Sequence, residues 1–538
     1  MRIKQAFQVS SAAGVAALML SGSAFAVTLN LHNGGDARTL DPNKESVNVE
    51  DRIISDCFEG LMTIDPKGEP VPGQATSFDV TPDGLTYTFH LRDGIMWSDG
   101  TPVVAQDFLT GLEHLENPKT AAEYAYLANF IAGVADYNAG KSTDPSTLGI
   151  KALDDKTVQY TLASPTPYFT AALTHPSLYP IPTADYKANG EDWASVDHIL
   201  CNGPYQIKEW VPGSYVRSEK NAKYYDAANV KIDEVYYHVL EDNAAALNRY
   251  RAGEFDIMTD LPTDQLALIQ KELPGQARLT PIISVYYYML NELKKPFDDV
   301  EIRKALSMAI NRDVITGDIL GTGDVAAYSW VPPGVANYQG AVYTNDWQTL
   351  PYEERVKQAA AIMASKGYTP ENPLKATLRY NTNDNHRRIA VAIAAMWAQI
   401  GVQIDLLNAE TGVHYDALSA GDFEIGRAGW IMDYNDASNM LDILRSGQKQ
   451  PDGTINWGNN YGRYSNPKFD ALMDQAAKEL DLVKRAGIMH EAEKLAMDEY
   501  GAVPIYDYVT KWVVSPKISG YEDNAVERHL TRYLSKSE

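Results

Sequence analysis

Between residues 352 and 431 one pattern recurs: an amphipathic run closed by glycine, then an apolar run of strand length. "YEERVKQAAAIMASKG" ends at Gly367 and leads into "LKATLRYN", and "HRRIAVAIAAMWAQIG" ends at Gly401 and leads into "VQIDLLN" and then "DFEIGRAGW". Apolar residues at helical spacing with a glycine stop read as helices. Strands separated by such helices pair in parallel through right-handed crossovers. This half of the chain is therefore expected to form an α/β sheet, and ligands of such sheets sit at the carboxyl ends of the strands.

The rest of the chain is more mixed. "VTLNL" from Val27 reads as a first strand, and "EDRIISDCFEGLMTI" as an amphipathic helix ending at Gly60. "LTYTFHLR" and "KTVQYTLAS" alternate as strands do, and Thr101-Pro102 is expected to open a helix through "AQDFLTGLEHLE". "CNGPYQIKEWVPGSYVRSEK" reads as two strands joined by a Pro-Gly turn. "AAALNRYRAGEFDIM" gives helix, stop and strand, "ISVYYYMLNE" a strand, and "DDVEIRKALSMAINRDVI" one helix with an acidic first turn. "AVPIYDYV" is a late strand. At 538 residues the chain exceeds what one core supports, so two or three domains are expected, joined by strands that suit a hinge.

The first 26 residues read as a secretion leader. Arg2 and Lys4 are its basic end, "AAGVAALML" its apolar core, and "AFA" before Val27 the small residues of a cleavage site. Loss of these two cations takes the net charge from −24 to −26. No cysteine follows the cut, so a lipid anchor there is not expected, and no later apolar run is long enough to span a bilayer. So acidic a surface repels phosphate backbones and argues against a nucleic-acid partner. The 33 tyrosines against 12 phenylalanines suit wet binding clefts, although packing at strand ends accounts for most of them. Cys57 and Cys201 are either a disulfide of an oxidising compartment or two buried thiols.

Catalytic signatures are weak. "HEAEK" from His490 lacks the second histidine a zinc helix needs, "GTGDVAA" from Gly321 lacks the lysine of a phosphate loop, and no G-x-S-x-G elbow occurs. Neither enzyme, metal nor cofactor is called for. Two polar clusters invite a binding reading. "YNTNDNHRR" puts Asn381, His386 and Arg387 just after one strand, and "RAGWIMDYND" puts Arg427, Trp430 and Asp433 at the end of another. Arg427 and Asp433 are either ligand contacts or each other's structural salt bridge.

With these motifs the chain resembles the extracytoplasmic oligopeptide-binding proteins of ABC importers, in the peptide/nickel solute-binding group. The resemblance runs nearly the whole length after the leader, through "TLDP", "FEGL", "FHLRDGIMWSDGTPVVAQDF", "NGPYQIKEW", "NRYRAGEFDI", "YYYMLN", "RKALSMAINRDVI", "YNTNDNH", "RAGWIMDYND" and "VPIYDYV" in order. It implies a type II-like periplasmic binding protein fold of class α/β: two hinged lobes plus an extra domain. Domain I would comprise 27–58, 183–283 and 510–538, domain II 59–182, and domain III 284–509.

The resemblance also implies a site. Asp433 falls where the family binds the peptide's α-ammonium. Gly429, Trp430 and Ile431 fall on the strand that pairs with the peptide backbone. Arg427, His386 and Asn381 fall around the cleft, Tyr124 on a domain II tyrosine near the ligand, Tyr508 at the second hinge crossing, and Ser46 and Asn48 on the loop after "LDP". Three departures stand out. Ser46, with Glu45 beside it, replaces a family acid, while Leu418 and Thr411 replace a cleft arginine and an aromatic. The family's cysteine pair falls on Ser284 and Ile431, so a Cys57–Cys201 bond would be a different one. The implied role is capture of peptides of about two to five residues by backbone and termini. Delivery would be to an inner-membrane ABC permease, from a monomer in the periplasm. Alternatives are a relative specialised for murein tripeptide, dipeptide, nickel chelate or haem, an exported hydrolase, or a folding helper.

Overall fold

The computed structural model describes residues 26–336, 338, 340, 342–450 and 452–537. The leader, Ala26 apart, lies outside the described residues. Three sheets organise the described chain. A six-stranded sheet has the order Val325–Ala326, Val503–Asp507, Ser284–Leu290, Ile425–Ile431, Leu374–Asn381, Val402–Ala409. Its last three strands are parallel, with Leu374–Asn381 in register with Val402–Ala409 along its whole length. The crossovers are the helices Asp384–Ala398 and Thr411–Ala420. Asn383 starts the first by accepting the N–H groups of Asn385 and His386, an N-cap that fixes where His386 enters the helix.

A seven-stranded sheet has the order Ala277–Arg278, Trp512–Val514, Ile257–Met258, Thr28–Gly34, Glu234–Val239, Tyr215–Lys220, Tyr205–Val211. Its central strand Thr28–Gly34 is parallel to both neighbours, and the remaining pairs are antiparallel. A four-stranded antiparallel sheet is built only from residues 75–161.

The two large sheets are connected by two crossings, at 278–284 and 507–512. These lie side by side: Ile282 N–H donates to Tyr508 O at 3.2 Å and Thr510 N–H to Thr280 O at 2.8 Å. Lys511 Nζ, on the seven-stranded side, pairs at 2.5 Å with Asp324 Oδ1, on the six-stranded side. Two short extended segments tied to each other form a narrow, defined hinge.

Several expected elements differ in extent. The first helix is Asn48–Cys57 and does not reach Gly60, because Gly203 N–H takes the carbonyl of Cys57 and Asn202 brackets the backbone of Glu59. Met62–Ile64 is a strand paired with Pro70–Pro72. The helix expected from Thr101 begins at Ala105, since the Asp107 carboxylate reaches back to Val104 N–H at 3.1 Å and Pro102 bridges to Met96. The run 298–315 breaks after Met308: buried Arg312 turns inward onto the carbonyls of Ser307, Ala327 and Pro504, and a π-helical turn follows at Val314–Leu320.

Cys57 and Cys201 are joined by a disulfide, with Cα atoms 4.9 Å apart and 144 residues between them in sequence. It pins the end of the first helix to the loop entering the seven-stranded sheet. A loop of this length removes substantial entropy from the unfolded chain. Replacing both cysteines by serine is expected to cost about 2–5 kcal/mol, read as a lower midpoint in denaturant, with reductant lowering the wild-type midpoint to match.

Candidate functional site

The Ile425–Ile431 strand is flanked unequally. On one side it pairs with Ser284–Leu290 from Ile431 opposite Ser284 to Ile425 opposite Leu290. On the other side it meets Leu374–Asn381 only at Ile425 and Gly426. Arg427 to Ile431 therefore form an open edge inside the sheet. Met432 N–H bonds to Ile283 O. Antiparallel alternation then turns the backbone groups of Arg427, Gly429 and Ile431 away from Ser284–Leu290 and toward the open edge. His414 Nε2 takes the first of these, donating to Arg427 O at 2.9 Å. Gly429 and Ile431 face a cavity.

The cavity has a volume of about 260 Å³ and lies where the two large sheets face each other. The six-stranded side contributes Asn381, His386, Arg427, Gly429, Trp430, Ile431 and Asp433. Ser46 and Asn48 come from the start of the first helix, Tyr508 from the hinge, and Tyr124 from the segment carrying the four-stranded sheet. Each residue that the family resemblance assigns to the ligand thus lines one space, whereas Arg387, from the same polar cluster as His386, lies exposed beside Asp384 outside it. Glycine at 429 leaves room for Tyr508, since a Cβ there would run into Tyr508 Oη and come within 3.2 Å of Arg427 Nη2, so that a side chain would have to shift.

Arg427 and Asp433 do not pair with each other. Arg427 lies in mid-strand rather than at the strand's end, 6% exposed, and donates only to neutral oxygens: Asn381 Oδ1 at 3.1 Å, Tyr415 Oη at 3.3 Å and Tyr508 Oη at 2.6 Å. Its guanidinium lies 4.8 Å from the Tyr286 ring centre. Burial, then Arg427, His414 and Lys511, hold His386 well below the usual imidazole range. His386 is therefore neutral, and its Nδ1 is buried with no partner in the described protein.

Asp433 lies just past the strand. Asn439 fixes it: Asn439 Nδ2 donates to Asp433 Oδ2 at 2.8 Å, and Asn439 Oδ1 accepts both Asp433 N–H at 3.2 Å and Trp430 Nε1–H at 2.9 Å. Tyr124 Oη donates to Asp433 Oδ1 at 3.4 Å. The other aspartate of the segment, Asp436, behaves differently. It forms a buried two-pronged pair with Arg485 at 2.8 Å on each prong.

The departures from the family pattern also have places. Thr411 clasps the opposite lobe, its N–H and hydroxyl donating to Glu241 Oε1 at 2.9 and 2.7 Å. Leu418 is fully buried and lies outside the cavity lining. Ser46 accepts from Arg38, and Glu45 is buried facing His175. Ser284 and Ile431 are register partners. Asn439, His175, His414, Tyr415 and Lys511 were not anticipated. None of them falls within a motif singled out in the sequence, although Asn439 and Lys511 lie just beyond two of them.

Two lobes closed over a cavity lined by polar and aromatic side chains, joined by two adjacent extended crossings, define a hinged solute-binding protein. The family profile for "Bacterial extracellular solute-binding proteins, family 5 Middle" matches residues 69–452. The periplasmic oligopeptide-binding protein OppA of Salmonella typhimurium (strain LT2) is 36% identical over 500 residues, 92% of this chain and 89% of that one. The probable deoxycholate-binding periplasmic protein YgiS of Escherichia coli (strain K12) is 36% identical over 493 residues, 91% and 90% of the two chains. The solved structure of the Escherichia coli murein tripeptide binding protein MppA superposes with a TM-score of 0.90 at 33% identity, over 95% of this chain and 99% of that one. Its unliganded open form, covering 95% and 98%, reaches only 0.63. The lobes here are therefore arranged as in the former and not as in the open form. The chain belongs to family 5 of the bacterial extracellular solute-binding proteins.

Gly429→Ala forces Tyr508 aside and is expected to destabilise the protein by about 1–3 kcal/mol. Removing the obstructing hydroxyl should recover much of this. In a thermal-melt double-mutant cycle, Gly429→Ala is expected to cost less in a Tyr508→Phe background.

Proposed function

We propose that this chain captures short oligopeptides by backbone and termini, outside the inner membrane, and delivers them to an ABC permease. The observation that carries the reading is Asp433: a carboxylate at the end of an open strand edge, surrounded by hydrogen-bond donors but paired with no lysine or arginine among the described residues. A peptide laid antiparallel or parallel along Gly429–Ile431 would bond to their free backbone groups and bring its α-ammonium to Asp433. Arg427, held only by neutral oxygens, offers a charge to a peptide carboxylate. The role involves no bond made or broken. The names of the relatives, periplasmic and peptide-binding, support it.

Three domains follow from the same reading, with boundaries 27–58, 183–283 and 510–538; 59–182; and 284–509. Each large sheet draws its strands from one of the two hinged groups, which supports the division. Among the described residues no helix is long and apolar enough to cross a membrane. Removal of 1–26 would release the chain to the periplasm, where it would act as a monomer.

The test is calorimetric titration of a free-amine tripeptide against wild type and Asp433→Ala. The variant is expected to lose about 2–5 kcal/mol, at least roughly 30-fold in affinity, with its melting midpoint unchanged. Asp436→Ala should do the reverse, unfolding the protein more readily by about 3–5 kcal/mol because Arg485 is left buried and unpaired. Unchanged peptide affinity in Asp433→Ala would remove the assignment. A steroid acid co-purifying in native mass spectrometry would replace the peptide reading with one like that of YgiS, since such a ligand has no ammonium.

A further inference from the structure

The Asp433 carboxylate is approached from the four-stranded-sheet segment by a second donor besides Tyr124. His175 Nε2 lies 3.4 Å from Asp433 Oδ1 and also 3.4 Å from Glu45 Oε1, so one edge of one imidazole faces two carboxyl groups. The other ring nitrogen is committed. His175 caps the short turn Pro176–Leu178, and its Nδ1 accepts Ser177 N–H at 3.2 Å. A nitrogen that accepts from a backbone N–H presents a lone pair, which places the ring proton on Nε2. The ring is buried and packed against Tyr124, with centroids 4.3 Å apart, so it cannot turn away.

The two carboxyl groups that face this nitrogen are not equivalent. Glu45 is buried, and its Oε1 has no well-formed hydrogen bond. Burial first, then Asp51, Glu50 and Asp433, push it well above the ordinary carboxylate range, with Arg528 opposing. Asp433 has Asn439 and Tyr124 as further donors and faces the cavity. The negative charge of Asp433 is one of the causes that raise Glu45, so Glu45 is the member of this set driven toward its neutral form.

We propose that His175 is the positioning residue of the ammonium anchor: fixed in one tautomer, it bridges Glu45 and Asp433 and leaves Asp433 as the carboxylate that meets the ligand. The anchor then presents a single negative charge, matched to a single α-ammonium. This rests on the reading of Asp433 given above, and it adds that discrimination for a free amine depends on an imidazole outside the strand that carries the aspartate.

The experiment compares a free-amine tripeptide with its N-acetylated form by calorimetry on wild type, His175→Phe and His175→Gln, each alone and with Asp433→Ala. Wild type is expected to prefer the free amine. His175→Phe, which keeps the stacking on Tyr124 but removes the donor, should shrink that preference about tenfold by weakening only the free-amine peptide. His175→Gln, which restores a donor, should recover most of it. In the Asp433→Ala background neither substitution should matter further. Equal weakening of both peptides by His175→Phe, or an unchanged preference, overturns the inference while leaving Asp433 in place. A wild type with no preference removes both.

Discussion

The cavity exists because Leu374–Asn381 leaves its neighbour early. It pairs with Ile425–Ile431 only through Leu378 and Arg379, yet stays in register with Val402–Ala409 through Asn381. That divergence opens an edge in the middle of a sheet rather than at its rim. An open edge is ordinarily a liability, a row of unpaired donors and acceptors that recruits other strands. Here the opposing lobe covers it, so the only strand that can reach it is one small enough to be enclosed. The same divergence carries Asn381 and the following cap at Asn383 to the rim, where Asn383 reaches Asp260 of the other lobe.

Closure is held by polar contacts. Thr411 on Glu241, Asn383 on Asp260, Thr263 on Asn385 and Arg388 on Thr263 span the lobes, and on opening each of these groups can bond to water instead. A closed state latched this way lies near in energy to an open one, which a ligand that binds only the closed form can tip. The hinge sets the direction of travel: two adjacent crossings tied by backbone bonds allow bending about one line. Tyr508 sits on that line and also receives Arg427. Ligand charge and hinge geometry therefore meet in one side chain.

The parallel part of the fold was legible because its helices and strands carry clean periods and glycine stops, as in Asp384–Ala398 between its two strands. The crossover helix Thr411–Ala420 was not. Its buried positions are Thr411, Gly412, His414 and Leu418, so the face that packs is not apolar and leaves no pattern. Element ends failed for a related reason. Cys57, Val104 and Ala309 are limits set by partners distant in sequence or by a side chain turning back, and periodicity sees neither. The cavity-lining residues on the Ile425–Ile431 strand and its neighbours were named through a resemblance carried by contiguous motifs. Asn439 and His175 escaped because their role lies in the distance to Asp433, which no local pattern records.

What separates structural from ligand-directed charge in this chain is the identity of the partner. Asp436 has Arg485, Asp324 has Lys511, and Glu59 has Arg532; the first two pairs are buried, the third partly so, and each is mutually neutralising. An ion already neutralised at short range attracts no ligand, and removing one partner strands the other. Asp433 and Arg427 are held instead by amides, phenols and an imidazole. Such groups fix geometry and soften the cost of burial without cancelling the charge. Both ions thus remain without a counter-charge among the described residues, Arg427 in mid-strand and Asp433 just past the end of Ile425–Ile431. In the binding mode proposed above, a zwitterion laid along that edge would supply the two counter-charges the protein withholds and, between them, the backbone bonds that Leu374–Asn381 gave up.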